Sequence, residues 1–302
     1  MELELPDFLI KDLKEQYGDE ITQKIVQGYR AKRKATLRVN TIKATGEKVR
    51  RELQKNNINF EDVSWCKEAL IIKDALEKDI ENLEIYKNGE IYLQSLSSML
   101  PPIILNPEEG KDILDMAAAP GGKTTQMAAL TNNKAHITAC EMNNIRIEKL
   151  KYNIQKQGAS CVYIMQKDSR NIDDFFSFDQ ILLDSPCSGS GTINIENKNL
   201  SKYFTPKLIE KSVKSQMALL KKAIKILKPG GTMVYSTCSI LEKENEEIIK
   251  NVLMQNKVEI VPIELNGMEQ IPLLPVKVEG TICVCPTEYY EGFFVAKIKK
   301  LK

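Results

Sequence analysis

Hydrophobic positions near the start of the chain recur every three to four residues, which is the spacing of a helix that buries one face. They are Leu5, Phe8, Leu9, Leu13, Tyr17, Ile21, Ile25 and Val26. The pattern predicts a helix from residue 1 to about residue 30. Beyond it, residues 37–41 alternate like a strand, residues 47–56 have helical spacing, and residues 70–72 predict a short strand. These elements predict a small α+β module.

From about residue 111 the pattern becomes an alternation of short apolar runs and amphipathic stretches. The runs predict strands at residues 113–114, 136–140, 161–165, 180–183 and 233–235, and the stretches predict helices at residues 146–157 and 208–227. Such alternation is typical of a doubly wound α/β fold with a mostly parallel, Rossmann-like sheet. Residues 292–298 predict a last, antiparallel strand that pairs with residues 258–262. We therefore expect two domains, residues 1–92 and 93–302.

Composition favours a folded protein, because 42% of the 302 residues are hydrophobic and 28% are charged. Lys and Arg number 43 against 41 Asp and Glu, so the net charge of +2 gives no sign of a polyanionic partner. Residues 28–51 differ, since nine basic side chains and one acidic side chain, Glu47, give this stretch a charge of +8. A solvated face explains such a run as well as an RNA-binding surface does. The candidate RNA contacts are Arg30, Lys32, Arg33, Lys34, Arg38 and Asn40.

Seven cysteines and a single histidine, His136, limit the chemistry that the chain can support. One histidine excludes most Ser-His-Asp and Cys-His catalysis and most His-rich metal sites. Cys283 and Cys285 form one close pair with no second pair nearby, so we predict no metal site. Residues 1–4 do not resemble a signal peptide, and no apolar run approaches the roughly 18 residues of a membrane span. We expect a cytoplasmic protein with reduced thiols and no membrane partner.

A turn rich in small residues, at positions 115–125, follows the first strand of the predicted sheet and leads into a helix. Glycines let a ligand approach the backbone closely, and a helix N-terminus adds favourable dipoles. A P-loop needs glycine where this chain has Ala117, and Pro120 lacks an N–H group that could cradle a phosphate. The dinucleotide pattern Gly-x-Gly-x-x-Gly is also absent from this turn. The turn therefore favours a cofactor with a methionine moiety over one held by its phosphates.

Acidic residues follow three successive strands, at the edge where doubly wound sheets bind ligands. Glu141 lies 20 residues beyond Gly121, the distance at which an acidic side chain meets a ribose diol in such folds. Asp168 follows the next strand, and Asp184 ends the one after it. A single acidic residue after a strand is usually a helix cap or a turn residue. Three of them beside a glycine-containing turn predict a cofactor site.

Cys187 and Cys238 each follow a predicted strand, in turns rich in Gly or Ser. A single cysteine is most often a small buried hydrophobic residue. Two cysteines at adjacent strand ends, beside a predicted cofactor site, favour a catalytic pair instead.

Six segments together resemble the Sun (Fmu) family of RNA cytosine-5 methyltransferases. They are residues 37–41, 94–99, 115–124, 182–192, 228–245 and 292–296. The resemblance extends over nearly the whole chain, and the paired Asp-x-Pro-Cys and Thr-Cys motifs are its most specific part. Residues 283–291 depart from the family pattern, which often has basic or histidine residues there.

The resemblance implies an enzyme that uses S-adenosylmethionine to methylate carbon 5 of a cytosine in structured RNA, with rRNA favoured over tRNA. It implies that Cys238 is the nucleophile and that Cys187 assists release of the product. We expect Asp184 to hydrogen-bond the target cytosine and the protein to be a monomer. The implied cofactor contacts are Ala117, Ala118, Ala119, Pro120, Gly121, Gly122, Lys123, Glu141, Arg146, Asp168 and Asp184.

Covalent catalysis explains why such an enzyme needs a cysteine. Carbon 5 of cytosine is too weak a nucleophile to attack a methyl sulfonium, whereas a thiolate that adds to carbon 6 makes carbon 5 an enamine carbon. An ordinary thiol is only a few per cent ionised at neutral pH. Because no histidine lies near the cysteines in the sequence, activation would come from backbone donors, from Lys123 or from the charge of the cofactor.

Three other classes of protein remain open from the sequence alone. A DNA cytosine-5 methyltransferase would use the Pro-Cys cysteine as its nucleophile and would carry a target-recognition insert. An amino-group methyltransferase would have Asp/Asn-Pro-Pro-Tyr/Phe where this chain has Asp-Ser-Pro-Cys at residues 184–187. A non-catalytic RNA-binding assembly factor would not need to bind the cofactor.

Overall fold

The computed structural model describes residues 5–197 and 199–302, so residues 1–4 of the predicted first helix lie outside the described residues. The first part of the chain contains α1 (Asp7–Arg30), β1 (Thr36–Val39), α2 (Gly46–Lys55), β2 (Phe60–Val63), β3 (Cys66–Ile72), α3 (Glu77–Glu81), α4 (Glu84–Lys87) and β4 (Ile91–Leu93). The rest contains α5 (Leu96–Leu105), β5 (Asp112–Asp115), α6 (Gly122–Leu130), β6 (His136–Cys140), α7 (Asn144–Gln157), β7 (Val162–Met165), β8 (Phe178–Asp184), α8 (Leu200–Tyr203), α9 (Pro206–Ile226), β9 (Leu227–Thr237), α10 (Glu246–Gln255), β10 (Val258–Ile260), β11 (Leu273–Leu274), β12 (Ile282–Val284) and β13 (Phe293–Lys300).

The N-terminal strands form an antiparallel sheet in the order β2-β3-β1-β4 within the described residues. Val49 and Leu53 of α2 share a core cluster with Leu37 of β1 and Leu70 of β3. The strands predicted near residues 37 and 70 and the helix predicted near residue 47 are confirmed. The sequence did not predict β2, which carries exposed acidic residues, or β4, which has only three residues.

The larger sheet has the order β11-β12-β13-β9-β8-β5-β6-β7 in the described part of the chain, with β10 paired to β13. Strands β5 to β9 pair in parallel, and β13 runs antiparallel to β9. The strand order reverses between β5 and β8, which creates a crevice at the carboxyl ends of these strands. The predicted Rossmann-like α/β fold is confirmed, as is the antiparallel last strand with its pairing to β10.

Helix α1 packs on the larger sheet instead of on the N-terminal sheet that follows it in sequence. Leu9 is fully buried in the core cluster that contains residues of β9 and β13. Tyr17 donates its hydroxyl hydrogen to the carbonyl oxygen of Ile240 at 2.7 Å, and Tyr29 donates to the carbonyl oxygen of Ser190. The first helix of the chain is therefore bonded to the segments that follow β8 and β9.

Helix α5 was not predicted, because Pro101 and Pro102 lie in its interior and interrupt the usual helical signal. Ser95 caps it by accepting a hydrogen bond from the backbone N–H of Ser98 at 3.3 Å. The helix buries Leu96, Met99 and other apolar residues against the larger sheet. It carries Ser98 to the edge of the sheet where the predicted site lies.

Candidate active site

The turn between β5 and α6 is held in shape by Asp115. Its Oδ1 atom accepts the backbone N–H of Ala117 at 3.3 Å, and its Oδ2 atom accepts the hydroxyl hydrogen of Thr124 at 2.7 Å. Gly121 has a φ of 110°, a left-handed conformation that L side chains rarely adopt, so the turn requires glycine here. Burial raises the pKa of Asp115 to about 6, although the two hydrogen bonds act in the opposite direction.

A cavity of about 730 Å³ lies along the ends of β5, β6 and β7. The buried carboxylate of Glu141 accepts the backbone N–H of Asn143 at 2.8 Å and lies 3.3 Å from the guanidinium of Arg146. Asp168 is paired with Arg170, whose hydrogen bonds hold the pKa of the Asp168 carboxyl below its usual value. The structure thus brings Glu141, Arg146 and Asp168 to one cavity.

A second cavity, of about 480 Å³, adjoins the first at Ala117, which lines both. The other predicted turn residues that line it are Ala118, Ala119, Pro120, Gly122 and Lys123. Gly121 does not line either cavity, and a Cβ atom there would meet the side chain of Leu150 at 3.1 Å. A Cβ atom at Gly122 would meet the ring of Tyr92 at 3.1 Å, so glycine lets β4 approach the turn closely.

Lys123 and Asp184 form an ion pair in this second cavity, with 2.8 Å between Nζ and Oδ2. Lys123 also donates to the hydroxyl oxygen of Ser98 at 2.7 Å, and Asp184 accepts the hydroxyl hydrogen of Ser236 at 2.8 Å. Burial lowers the pKa of Lys123, but the charge of Asp184 and the hydrogen bond to it raise that pKa above its usual value. The ammonium group therefore stays charged at the sheet edge.

Cys187 and Cys238 meet at the same edge, with 3.1 Å between their Sγ atoms. Asp184 of β8 pairs in register with Ser236 of β9, so the segments that follow these parallel strands leave the sheet side by side. The contact with Cys238 and burial together raise the pKa of the Cys187 thiol well above its usual value. Cys187 therefore holds its proton more strongly than an ordinary thiol does.

Glu244 is a site residue that the sequence did not single out. Its side chain is completely buried, and it accepts hydrogen bonds from residues that directly follow each cysteine. Ser188 donates its backbone N–H at 2.7 Å, and Ser239 donates its hydroxyl hydrogen at 2.6 Å. A glutamate near a helix start is ordinarily exposed, so its residue type gave no sign of a role in the site. The one sequence signal was the position of Glu244 in segment 228–245, which resembles the Sun (Fmu) family.

Four of the six predicted RNA contacts lie at the surface. Arg30, Lys32 and Lys34 are exposed, and the half-buried Arg33 forms an ion pair with Glu291 at 3.0 Å. Lys32, Arg33 and Lys34 line a cavity of about 1020 Å³ beside the C-terminal end of α1. Residues 285–288, which depart from the family pattern, form part of the same cavity wall.

Arg38 and Asn40 are a correction to the predicted RNA surface, because they are only 2% and 1% exposed. Arg38 donates to Oε1 of Gln94 at 3.0 Å and to the hydroxyl oxygen of Thr125 at 3.2 Å. Asn40 donates to the carbonyl oxygen of Gln157 at 2.7 Å. Every residue of β1 is buried, and Asn40 directly follows it, so Arg38 bonds to α6 and Asn40 bonds to α7 instead of facing an RNA.

No group of three or more His, Cys, Asp or Glu side chains suited to a metal ion occurs among residues 5–197 and 199–302. Over the same residues, no helix has both the length and the apolar character needed to cross a membrane.

Two family models match this chain, one over most of the part that forms the larger sheet and one over most of the N-terminal part. Residues 102–299 match the family model described as 16S rRNA methyltransferase RsmB/F. Residues 5–78 match the model described as the Methyltr_RsmF/B-like, ferredoxin-like domain. The chain belongs to the RsmB/F methyltransferase family. The resemblance to the Sun (Fmu) family, inferred from the motifs, is thereby confirmed.

Relatives in Shewanella carry the name Ribosomal RNA small subunit methyltransferase F. The protein of Shewanella sp. (strain ANA-3) is 36% identical over 277 residues, which cover 88% of this chain and 56% of that protein. The protein of Shewanella oneidensis is 37% identical over 273 residues, which cover 88% and 57% of the two chains. The RsmB/F chain described here thus spans a little over half the length of these relatives.

Two solved structures from Pyrococcus horikoshii have the same fold over nearly the whole chain. A methyltransferase homolog protein is 31% identical, with a TM-score of 0.82, and the match covers 98% of this chain and 100% of that one. NSun6 in a structure with SFG is 26% identical, with a TM-score of 0.88, and the match covers 98% of both chains.

Proposed function

We propose that this RsmB/F family member transfers a methyl group from S-adenosylmethionine to carbon 5 of a cytosine in ribosomal RNA. The observation that carries the proposal is the 3.1 Å contact between the Sγ atoms of Cys187 and Cys238. Pro186, which directly precedes Cys187, lines the first cavity, and Asp184 lines the second. The name of the Shewanella relatives supports rRNA as the substrate.

The donor groups of the two cavities fit S-adenosylmethionine. The buried carboxylate of Glu141 suits a ribose diol, and the carboxylate of Asp168 suits an amino group of the base. Asp184 suits the ammonium group of the methionine moiety, and residues 117–123 bring backbone close to the ligand. A match to a structure that holds SFG, an analogue of this cofactor, also supports the assignment. When bound, the cofactor supplies a methyl group on a positively charged sulfur.

Cys238 is the nucleophile in this proposal. Its thiolate adds to carbon 6 of the cytosine, a C–S bond forms, and the electron pair of the carbon 5–carbon 6 double bond becomes available at carbon 5. Cys187, which holds its proton strongly, donates a hydrogen bond to the Cys238 sulfur and stabilises negative charge there. This hydrogen bond stabilises the thiolate but does not remove its proton, which is the task of histidine in many other cysteine enzymes.

Asp184 and Lys123 select the base. Asp184 can accept a hydrogen bond from the amino group of cytosine, which uracil lacks. Lys123, held 2.8 Å from Asp184, keeps a positive charge at the site and stabilises negative charge on the bound base. One ion pair thus provides an acceptor and a cation at the same edge of the sheet.

Cys187 assists release of the product. After methylation, a base takes the proton from carbon 5, the double bond re-forms, and the C6–S bond breaks with its electrons moving to the Cys238 sulfur. The Cys187 thiol, 3.1 Å away, donates a hydrogen bond to that departing sulfur, which leaves as a thiolate. Loss of this donor would leave the RNA attached to the protein.

The exposed residues Arg30, Lys32 and Lys34 hold the RNA backbone in this proposal. Arg30 ends α1, and Lys32 and Lys34 lie on the segment that follows it. Helix α1 is itself bonded to the segments of the two cysteines. Lys and Arg contacts to phosphates give affinity without sequence preference. The target cytosine would be unstacked to reach Cys238.

The test uses small-subunit rRNA, tRNA and duplex DNA that carry tritium on carbon 5 of cytosine, with unlabelled S-adenosylmethionine. Methylation at carbon 5 releases the tritium into water, whereas methylation of the amino group retains it. We expect release from rRNA alone, and bisulfite sequencing then locates the modified cytosine. Methyl transfer without tritium release would overturn the carbon 5 assignment, and release from tRNA or DNA alone would overturn the rRNA assignment.

A further inference from the structure

Glu244 links the two cysteine segments through one carboxylate. Ser188, which follows Cys187, donates both its backbone N–H and its hydroxyl hydrogen to this carboxylate. Ser239, which follows Cys238, donates its hydroxyl hydrogen to Oε2 at 2.6 Å. The residues that follow the two cysteines are therefore hydrogen-bonded to the same carboxylate group, so its position affects the position of each thiol.

The carboxylate is held by neutral donors. Besides Ser188 and Ser239, its partner is the amide of Gln216, whose Nε2 atom lies 3.4 Å from Oε1 and also donates to the carbonyl oxygen of Pro186 at 3.1 Å. The side chain of Glu244 is 0% exposed. A buried carboxylate with several hydrogen bonds and no cation among these partners is costly to keep, which argues for a role beyond packing.

The negative charge of Glu244 acts on Cys187. Contact with Cys238 and burial are the larger causes of the raised pKa of Cys187, and the charge of Glu244 adds to them. A like charge close to a thiol disfavours the thiolate. The carboxylate thus favours the protonated form of Cys187, which can donate a hydrogen bond to the Cys238 sulfur.

We propose that Glu244 is a positioning residue for the cysteine pair, which fixes the spacing of the two thiols and keeps Cys187 as the hydrogen-bond donor. The charge effect is a property of the free protein, whereas the spacing effect rests on the covalent mechanism proposed above. Glu244 then decides which cysteine donates and which one is left to attack the base.

The first test measures alkylation of Cys187 by iodoacetamide against pH in the free protein, with peptide mass spectrometry as the readout. The protein also carries Cys238→Ser, so that alkylation of Cys238 cannot block access to Cys187. Glu244→Gln keeps the shape and one acceptor oxygen but removes the charge. We expect the pH at which alkylation of Cys187 is half-maximal, its midpoint, to fall by about one unit. The matched control is Glu246→Gln, a carboxyl that is 2% exposed and takes no part in the hydrogen bonds that join Glu244 to Ser188 and Ser239.

The second test separates spacing from charge with Glu244→Asp, which retains the charge and shortens the reach. We expect an unchanged Cys187 midpoint and a roughly tenfold slower formation of the covalent complex with RNA that contains 5-fluorocytidine. This variant is made with both cysteines intact for the RNA measurement.

The outcomes of these tests are distinct. A folded Glu244→Gln protein with the wild-type midpoint overturns the charge effect, and a Glu244→Asp protein with the wild-type rate overturns the spacing effect. If Glu244→Gln does not fold, Glu244→Ala replaces it in the alkylation measurement, and the Glu244→Asp rate decides the spacing effect. A wild-type protein that methylates no RNA but loses about one pH unit on Glu244→Gln refutes the proposed function and leaves the charge effect standing.

Discussion

The ammonium group of Lys123 lies 2.8 Å from Oδ2 of Asp184, and this ion pair joins the start of α6 to the end of β8. The two side chains are only 15% and 27% exposed. Each is held by a further hydroxyl group, that of Ser98 for the lysine and that of Ser236 for the aspartate. The pair therefore serves the stability of the sheet edge as well as the proposed recognition of the base.

Lys123→Met will destabilise the protein and abolish its activity. Removal of one partner leaves the carboxylate of Asp184 largely buried without its cation, which costs about 3 kcal/mol. We expect a lower melting temperature and loss of methyl transfer. The double variant Lys123→Met/Asp184→Leu should recover most of the stability and none of the activity. Activity in a stable double variant would contradict the proposed role of this pair.

Substitutions of the two site cysteines will have different effects. Cys238→Ala should lower methyl transfer by about 10³-fold or more, because the nucleophile is lost. Cys187→Ala should retain the addition step and accumulate a protein–RNA complex that survives denaturing electrophoresis. Cys161→Ala, a half-buried cysteine outside the site, is the control and should retain full activity. Accumulation of the complex with Cys238→Ala would reverse the assignment of the two cysteines.

Removal of positive charge from the segment after α1 will weaken RNA binding without any effect on stability. Lys32→Ala and Lys34→Ala should each reduce the slope of log affinity against log salt concentration by about 1. Arg38→Ala is the contrasting variant, because its side chain is buried and bonded to Gln94 and Thr125. It should lower stability by about 2–4 kcal/mol and leave the salt slope unchanged. Filter binding and thermal melting distinguish the two effects.

Asp115 will make stability depend on pH between about 4 and 6. Its pKa is about 6 in the folded protein against an ordinary 3.8, so the folded state binds the proton more tightly than the unfolded state does. The stabilisation by this proton is fully present below pH 3.8, the ordinary pKa of the group. It is lost as the pH rises through about 6, the pKa in the folded protein. The loss amounts to up to about 3 kcal/mol.

The variant Asp115→Asn checks this linkage, since it removes the titration. Its melting temperature relative to wild type should rise as the pH increases from 4 to 6. Asp173→Asn, at an exposed position, should show a constant difference over the same range. A constant difference for Asp115→Asn would show that burial does not perturb this carboxyl.

Local patterns predicted most of the larger sheet. Strand β6 begins and ends at the predicted residues, because a run bounded by polar residues has clear limits. Strand β9 is longer than its predicted core, since it pairs with β8 at Leu227 and again from Thr232 onward, and Lys-Pro-Gly-Gly at residues 228–231 lies at the irregularity between these pairs. Helix α5 was missed for a similar reason, because tertiary packing outweighs the effect of two prolines.

The motifs predicted that the cysteine pair and the cavity residues lie close together, because the carboxyl ends of parallel strands share one edge of a sheet. They could not place Arg38 or Glu244. Charge in a sequence does not report burial, and both side chains are buried by contacts with residues distant in sequence. Such residues can be assigned only after the strand order and the loop contacts are known.

The attachment of α1 to the larger sheet has a consequence for protein engineering. Tyr17 and Tyr29 tie this helix to Ile240 and Ser190, close to both cysteines, while the basic segment begins where the helix ends. A chimera that replaces the whole N-terminal region would therefore remove a helix that supports the proposed reaction centre, together with the proposed RNA contacts. An exchange of RNA specificity between relatives should keep residues 7–30 with the catalytic sheet and begin after that helix.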